Sequence, residues 1–381
     1  MNTGTRIGTA EDAFGTDLYL LLSERTENTV FSPASVAAAL QLALCGARGD
    51  TAAELAKALH LSASPDSAPD EAAQALRHLS AIVNETAEAG TADFRVANTA
   101  WAQSGLPLLP GFTGRLRDAA AATLADADFV HAAETARNAI NRVIAEQTAG
   151  KITDLLARGT LNSFTRLVLA NAVYLKAQWA EQFPVNATRD APFHSDETSS
   201  KNVPMMRGTA TRSYCRAGGY QAVLLPYQHS GLAMAIVLPD GPLSTLRPRL
   251  SVSGLRDLLG NMSAHSVTLS LPRFRVESSF DLIPALKQQG VTTAFGADAD
   301  FSGMTEAERL WIAAIAHKAF VDVDEYGTEA AAATAVVLRV AAAILRPPPR
   351  VEMIVDRPFL FAIVHTATGT PLFFGQVTNP G

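Results

Sequence analysis

The sequence contains little cysteine and no spacing that is typical of a metal or redox site. Its two cysteines, Cys45 and Cys215, lie far apart in a chain of 381 residues. This excludes a scaffold held by disulfide bonds, and we expect two buried or half-buried thiols. No two of the eight histidines stand at a spacing of two or four residues. Because metal ligands usually come as spaced clusters, we expect no metal site.

Long apolar segments and clusters of one charge are also missing. No stretch approaches the roughly 18 apolar residues of a membrane helix, and none resembling a signal peptide follows Met1. We therefore expect no membrane contact and a cytoplasmic location, with secretion by another route left open. The formal net charge is −6, from 37 acidic and 31 basic residues, without a lysine or arginine block. This balance predicts neither nucleic acid nor a heparin-type polyanion as partner.

Sequence motifs of the common enzyme classes are missing as well. The chain contains no G-x-S-x-G, no H-E-x-x-H, no P-loop and no G-x-G-x-x-G. These motifs place a nucleophile, a zinc ion or a phosphate group, so the classes that depend on them are not expected. A triad assembled from distant residues is compatible with the sequence, but nothing favours one. We expect neither an enzyme nor a bound cofactor.

The residues that are present predict helices in the first part of the chain and strands in the second. Ser32 and Pro33 are suited to begin a helix, and the apolar run that follows indicates a buried one. Residues 94–101 alternate like a strand. The branched and aromatic run at 167–179 is typical of a central strand. Because no linker separates the two parts, we predict one α+β domain covering residues 1–381.

One segment near the C-terminus does not fit this pattern. Residues 328–340 read TEAAAATAVVLRV and lack the glycine, asparagine and aspartate of an ordinary loop. Read as a strand, the segment places small and then apolar residues on one face. Its two charged residues, Glu329 and Arg339, fall on the other face. Such a segment has the pattern of a strand that could be added to a sheet.

Several stretches, in a fixed order, resemble the serpin family. They are NTVFSPASVAAALQLALCGARGDTAAELAKAL at 28–59, NRVIAEQTAGKI at 141–152, NAVYLKAQW at 171–179 and DRPFLF at 356–361. Together with shorter matches they extend over essentially the whole chain. The resemblance implies a fold of three β-sheets with about eight or nine helices and an exposed reactive-centre loop at about 326–349. It also implies a monomer that inhibits a serine protease irreversibly, through a covalent complex, by inserting its cleaved loop into the main sheet.

The resemblance assigns roles to three groups of residues. The first group is the hinge, from which the loop would begin to insert: Glu325, Gly327, Thr328, Glu329, Ala330, Ala331, Ala332, Ala333 and Thr334. The second is the shutter, a polar cluster beneath the main sheet: Ser32, Ser35, Asn171 and His317. The third is the breach, where insertion would start: Trp179, Arg273 and Glu325. We predict an Arg273–Glu325 ion pair, a pivot at Gly327, and slower insertion from the aromatic Tyr326.

The position of the cleaved bond depends on how the loop is counted. Counted from Glu325 at the family's spacing, the reactive site is the bond between Ala341 and Ala342. Counted back from Pro358, the reactive site falls on Pro347, where most proteases do not cleave. We prefer the first count, because the length inserted controls trapping.

Small residues around Ala341 favour an elastase- or subtilisin-like target. Arg339, for a trypsin-like enzyme, and Ala343 are the alternative reactive sites. A cysteine protease target and a non-inhibitory serpin with a binding or storage role also remain as alternatives.

Overall fold

The computed structural model describes residues 3–23, 27–61, 64–89, 92–116, 123–196, 198–329 and 348–381. Eight α-helices occur in these ranges, most of them in the first half of the chain. They are α1 (Thr3–Leu22), α2 (Pro33–Leu44), α3 (Gly49–Ala58), α4 (Ala68–Glu88), α5 (Pro110–Leu116), α6 (Phe129–Gln147), α7 (Arg247–Leu258) and α8 (Ile283–Gln288).

The strands, numbered in chain order, form two hydrogen-bonded sheets in the described part of the chain. The larger contains β1 (Thr29–Phe31), β5 (Arg189–His194), β6 (Ser200–Ala217), β7 (Tyr220–Pro226), β8 (Leu232–Pro239), β9 (Ser263–Pro272), β13 (Arg350–Ile354), β14 (Phe359–His365) and β15 (Thr370–Val377). The smaller contains β2 (Ala92–Gln103), β3 (Thr123–Ala127), β4 (Leu167–Gln178), β10 (Phe274–Asp281), β11 (Ile312–Val323) and β12 (Gly327–Thr328).

The long strand β6 explains why three expected sheets are seen as two. Its first part pairs with β5, its middle with β9, and its end, at residues 214–217, with β7. Two sheets of the expected fold are therefore continuous through one strand of 18 residues. The order of helices and strands agrees with the predicted α+β fold.

The six-stranded sheet separates two hydrophobic clusters. On one face, Val168, Ala170 and Ala172 of β4 lie in a small cluster with Ile140 and Ile144 of α6. On the other face, the alternate β4 residues belong to the main core, which also contains all of the apolar residues of α2. Successive side chains of a strand point to opposite faces, so each strand of this sheet contributes to both clusters. Helix α6 thus covers one face of the sheet and α2 lies beneath the other.

Helix α2 begins as its sequence predicts. The side chain of Ser32 accepts a hydrogen bond from the Ser35 N–H at 3.2 Å, and Pro33 occupies the first helical position. An N-cap of this kind is worth about 1 kcal/mol. The cap fixes where α2 starts, and so fixes both serines under the sheet. No helix in the described ranges is long and apolar enough to cross a membrane.

Candidate functional site

Two residues of the predicted hinge lie inside the six-stranded sheet. Residues 327 and 328 form the short strand β12, which lies between β4 and β11 and is antiparallel to both. Farther along, β4 and β11 pair with each other directly, from Ile312–Leu167 to Ala319–Val173. The two strands are therefore parted at one end of the sheet and closed over the rest. Strand β12 occupies the beginning of the gap.

Glycine is required at position 327 because there is no room for a side chain, and not because the backbone needs a positive φ. A Cβ atom at this position would collide with the carbonyl oxygen of Ala177 and with the Cα of Gln178, which are backbone atoms of β4. We predicted a pivot at Gly327, but the residue lies in extended strand pairing. The left-handed backbone is found two residues later, at Glu329, whose φ is 48°. Strand β12 therefore ends at Thr328, directly before this residue.

Thr328 is anchored in the core beneath this gap. It is 0% exposed, and its hydroxyl lies 2.5 Å from the hydroxyl of Tyr227. The ring of Tyr227 stacks on Trp179 with centroids 4.6 Å apart. Burial raises the pKa of Tyr227 far above its usual range, so this hydroxyl stays protonated and can donate to Thr328. The hinge therefore has one hydroxyl partner in the core in addition to its strand pairing.

The breach residues lie together around the segment before β12. Trp179 donates its backbone N–H to the Tyr326 carbonyl at 2.8 Å and its indole N–H to the Asp324 carbonyl at 2.9 Å. Asp324 in turn accepts hydrogen bonds from the N–H groups of Tyr326 and Gly327. These contacts hold the backbone that leads into β12 in one conformation.

The Glu325 carboxylate is the buried charge of the breach. Its side chain is 2% exposed, whereas that of Arg273 is 44% exposed. Arg273 donates from Nε at 2.9 Å and from Nη2 at 2.6 Å, and the Thr188 hydroxyl donates at 2.5 Å, all to Oε1 of Glu325. Burial acts to raise the pKa of Glu325, but the hydrogen bonds from Arg273 and Thr188 outweigh it, so the pKa is lowered. The carboxylate is ionised and connects the hinge to β9 and β10 through Arg273.

The shutter residues form one buried network beneath the sheet. The backbone N–H of Ser32 donates to Nε2 of His317 at 3.0 Å, so this nitrogen carries no proton. The proton is then on Nδ1, which donates to the side-chain oxygen of Asn171. Asn171 Nδ2 donates to Ser35 Oγ at 2.6 Å and to its carbonyl at 2.7 Å. Burial lowers the pKa of His317 to about 3, so the imidazole is neutral.

Asn98 belongs to this network, although the sequence analysis did not single it out. It lies on β2 directly opposite Asn171, which in turn lies opposite His317 on β11. Its side-chain oxygen accepts from Ser35 Oγ at 2.7 Å and from Asn171 Nδ2. The sequence could have pointed to Asn98, because it is a polar residue on the core-facing side of the predicted strand β2. The network therefore crosses three adjacent strands, including the two that must part for a strand to be inserted.

Part of the predicted site lies outside the described residues. This applies to the hinge residues Ala330, Ala331, Ala332, Ala333 and Thr334, and to the reactive-site residues Arg339, Ala341, Ala342 and Ala343. Their roles stay predictions, as do the functional roles of the hinge, shutter and breach residues described above. The chain is described again from Pro348, and β13 pairs in parallel with β9.

The matches to known proteins extend over nearly the whole chain. The model of the family described as "Serpin (serine protease inhibitor)" matches residues 9–380. Leukocyte elastase inhibitors of Bos taurus and Sus scrofa are 36% and 37% identical to the chain, over 98% of this chain and 100% of each relative. The solved structure of Serpin48, a highly specific serpin of the insect Tenebrio molitor, has a TM-score of 0.84 and 30% identity, and the match covers 98% of both chains.

Proposed function

Because this chain belongs to the serpin family, we propose that it is an irreversible inhibitor of serine endopeptidases with an elastase- or subtilisin-like target. The inhibitor acts as a single domain and a monomer, and it is consumed rather than turning over. Its reactive-centre loop spans about residues 326–349, and the protease forms a covalent complex with it.

The observation that carries this proposal is the position of β12. Residues 327 and 328 already occupy the gap between β4 and β11, with Thr328 fully buried. Starting a new strand is costly, because ordering the backbone costs about 1–2 kcal/mol per residue before side-chain burial compensates. Here the first two residues are ordered in advance. A loop cut beyond this point can extend an existing strand instead of starting one.

The chemistry of trapping follows from where the chain is cut. The serine Oγ of the protease attacks the carbonyl carbon of Ala341, the bond to the nitrogen of Ala342 breaks, and that nitrogen leaves with a proton. Ala341 is then held to the protease by an ester bond. The segment from Glu329 to Ala341, freed at its C-terminal end, can continue from Thr328 between β4 and β11. Strand addition of this kind gains main-chain hydrogen bonds along both neighbours.

The target class rests on side-chain size. Ala341, Ala342 and Ala343 are small, and small residues suit the narrow specificity pocket of an elastase. The names of the mammalian relatives, leukocyte elastase inhibitor, support the same class. A trypsin-like enzyme would instead cleave after Arg339. A cysteine protease forms a thioester with the same bond and is the further alternative.

The test is to mix the protein with pancreatic elastase or subtilisin and to look for a complex that survives SDS. We expect one band at the mass of the protease plus residues 1–341, and a released peptide that begins at Ala342 by mass spectrometry. A Thr328→Arg variant is the matched control, because a guanidinium cannot be buried unpaired beside Tyr227. This variant should be cleaved at the same bond without forming the complex.

Two other outcomes decide between the alternatives. Clean cleavage of the wild type without any complex, and without a rise in thermal stability after cleavage, would contradict inhibition and support the binding or storage role. A released peptide that begins at Val340 would move the reactive site to Arg339 and the target to a trypsin-like enzyme.

A further inference from the structure

Lys151, which lies outside the predicted hinge, contacts Glu329, the residue that directly follows β12. Its Nζ forms an ion pair with Oε1 of Glu329. Glu329 is the residue with the left-handed backbone, and its side chain is 16% exposed, against 44% for Lys151. The ion pair joins the segment after α6 to the end of the pre-formed strand β12.

A rigid turn presents Lys151 to this position. Ala149 and Gly150 both have positive φ, 53° and 75°, and reverse the chain directly after α6. The buried Thr148 fixes both sides of the turn: its carbonyl accepts from the Lys151 N–H at 3.0 Å and its hydroxyl accepts from the Ile152 N–H at 3.2 Å. Ile152 is itself buried in the cluster under α6. The lysine is therefore held over the sheet by ordered backbone.

The groups around Glu329 make the lysine necessary there. Glu329 donates its N–H to the carbonyl of Asp322 on β11 at 2.8 Å, and the Asp322 side chain lies on the same face of the sheet. Burial and the Glu329 carboxylate raise the pKa of Asp322, although Arg275 and Lys151 act against it. Burial and Glu329 also raise the pKa of Tyr174 to about 12. Without Lys151, the Glu329 carboxylate, which is only 16% exposed, would lack this cation near the Asp322 carboxylate, and nearby like charges repel.

We propose that Lys151 is a positioning residue for loop insertion: it holds Glu329 at the α6-covered face, and thereby keeps β12 in the gap. This inference rests on the proposed trapping function. When Glu329 changes from its left-handed to an extended conformation, the strand continues toward Ala319 and Val173. Because side chains alternate along a strand, the Glu329 side chain stays on the same face of the sheet. Its ion pair with Lys151 is therefore kept during this change. Removing the lysine favours withdrawal of β12, and more acyl-enzyme is hydrolysed before the loop inserts.

The experiment measures the stoichiometry of inhibition, the number of inhibitor molecules consumed for each elastase or subtilisin molecule trapped. Lys151→Met in the full chain should raise this number about threefold, the effect of one partly exposed ion pair. Lys151→Arg should stay near the wild type, and the exchange of Lys151→Glu with Glu329→Lys should recover most of the loss. About 1 M salt should bring the wild type close to the methionine variant, because such salt screens the pair. Lys57→Met, an exposed lysine in the last turn of α3, removes the same charge elsewhere and should change nothing.

Each other result has a defined meaning. An unchanged or lower stoichiometry for Lys151→Met, in a variant with the thermal midpoint of the wild type, overturns the inference. Should Lys151→Met fold poorly, the exchanged pair decides: failure to recover trapping, at a normal thermal midpoint, counts against the inference. A wild type that forms no SDS-stable complex contradicts the proposed function itself, whereas a trapping wild type with an indifferent Lys151 contradicts this inference alone.

Discussion

The Nε2 atom of His317 accepts a hydrogen bond from the backbone N–H of Ser32 at 3.0 Å, which joins β11 to the residue that caps α2. This bond requires an unprotonated nitrogen, and the second ring nitrogen donates to Asn171. Both bonds depend on one neutral tautomer. A protonated His317 would have to break the bond to Ser32, and it is fully buried.

Protonation of His317 should therefore lower the stability of the protein as the pH falls. Its folded pKa is about 3, below the ordinary value of 6.5. Between pH 6.5 and pH 3, His317 is protonated in the unfolded chain but not in the folded chain. The stability that neutral His317 contributes is therefore complete above about pH 6.5 and is lost progressively toward pH 3. From pH 7.5 to 5 the loss is about 2 kcal/mol. Urea unfolding of the wild type and of His317→Gln at both pH values measures it.

We expect the glutamine variant to lose less stability over the same interval, although it is the less stable protein at pH 7.5. Burial also lowers the pKa of His78 and of His365. Both histidines remain in the variant, so the difference between the two proteins isolates His317. Equal pH dependence in both proteins would contradict the assignment.

Replacing Asn171 should weaken the sheet between β4 and β11, the two strands that would have to part under the proposed mechanism. Asn171→Ala removes the acceptor of His317 Nδ1 and the amide that donates to Ser35. Leaving buried partners unsatisfied costs about 2–4 kcal/mol in a connected network. We expect a lower urea midpoint of unfolding. Asn202→Ala, on an exposed position of β6, is the control and should unfold like the wild type.

Local patterns in the sequence were sufficient to predict much of the fold. The cap at Ser32, the strand at 94–101 and the apolar run at 167–179 depend on neighbours in sequence, and α2, β2 and β4 are found where these patterns predict them. The serpin fold itself was recognised from the order of motifs, and the family and structural comparisons confirm it.

The remaining features depend on contacts between distant parts of the chain. The requirement for glycine at position 327 is set by the carbonyl of Ala177, 150 residues earlier in the chain, so a local rule could suggest only a turn. Asn98 reads as one polar residue in an alternating strand until it is placed opposite Asn171. The contact of Lys151 with Glu329 has no local signal at all, because a charge on a loop is usually solvated.

The Arg273–Glu325 ion pair should contribute more to stability than an ordinary surface ion pair. A double-mutant cycle of Arg273→Met and Glu325→Gln should give a coupling of about 1–2 kcal/mol in urea unfolding at pH 7.5. The carboxylate is buried, which strengthens the hydrogen bonds, but Arg273 is half exposed and water screens it. Because the pKa of Glu325 is lowered, this contribution is present above its ordinary value of 4.5 and is lost as the pH falls below it. A coupling near zero, or one that is unchanged at pH 3.5, would contradict this view of the breach.

Adding a single methyl group at Gly327 should dislodge β12. The Cβ of Gly327→Ala would meet backbone atoms of β4, which cannot move without disturbing the central strand. We expect a loss of about 1–3 kcal/mol in stability, because the clash forces the backbone to shift. Thr328 would then leave its contact with Tyr227, and the stoichiometry of inhibition should rise in the same variant.

Gly114→Ala is the matched control for this substitution. Gly114 lies in α5, and a Cβ there meets no described atom within 4 Å. Alanine in a helix is favoured over glycine by about 1 kcal/mol, so this variant should be as stable as the wild type or slightly more so. If Gly327→Ala matches Gly114→Ala in both unfolding and trapping, the close contact with β4 does not hold the hinge. If it loses stability but traps normally, β12 supports the fold without serving insertion.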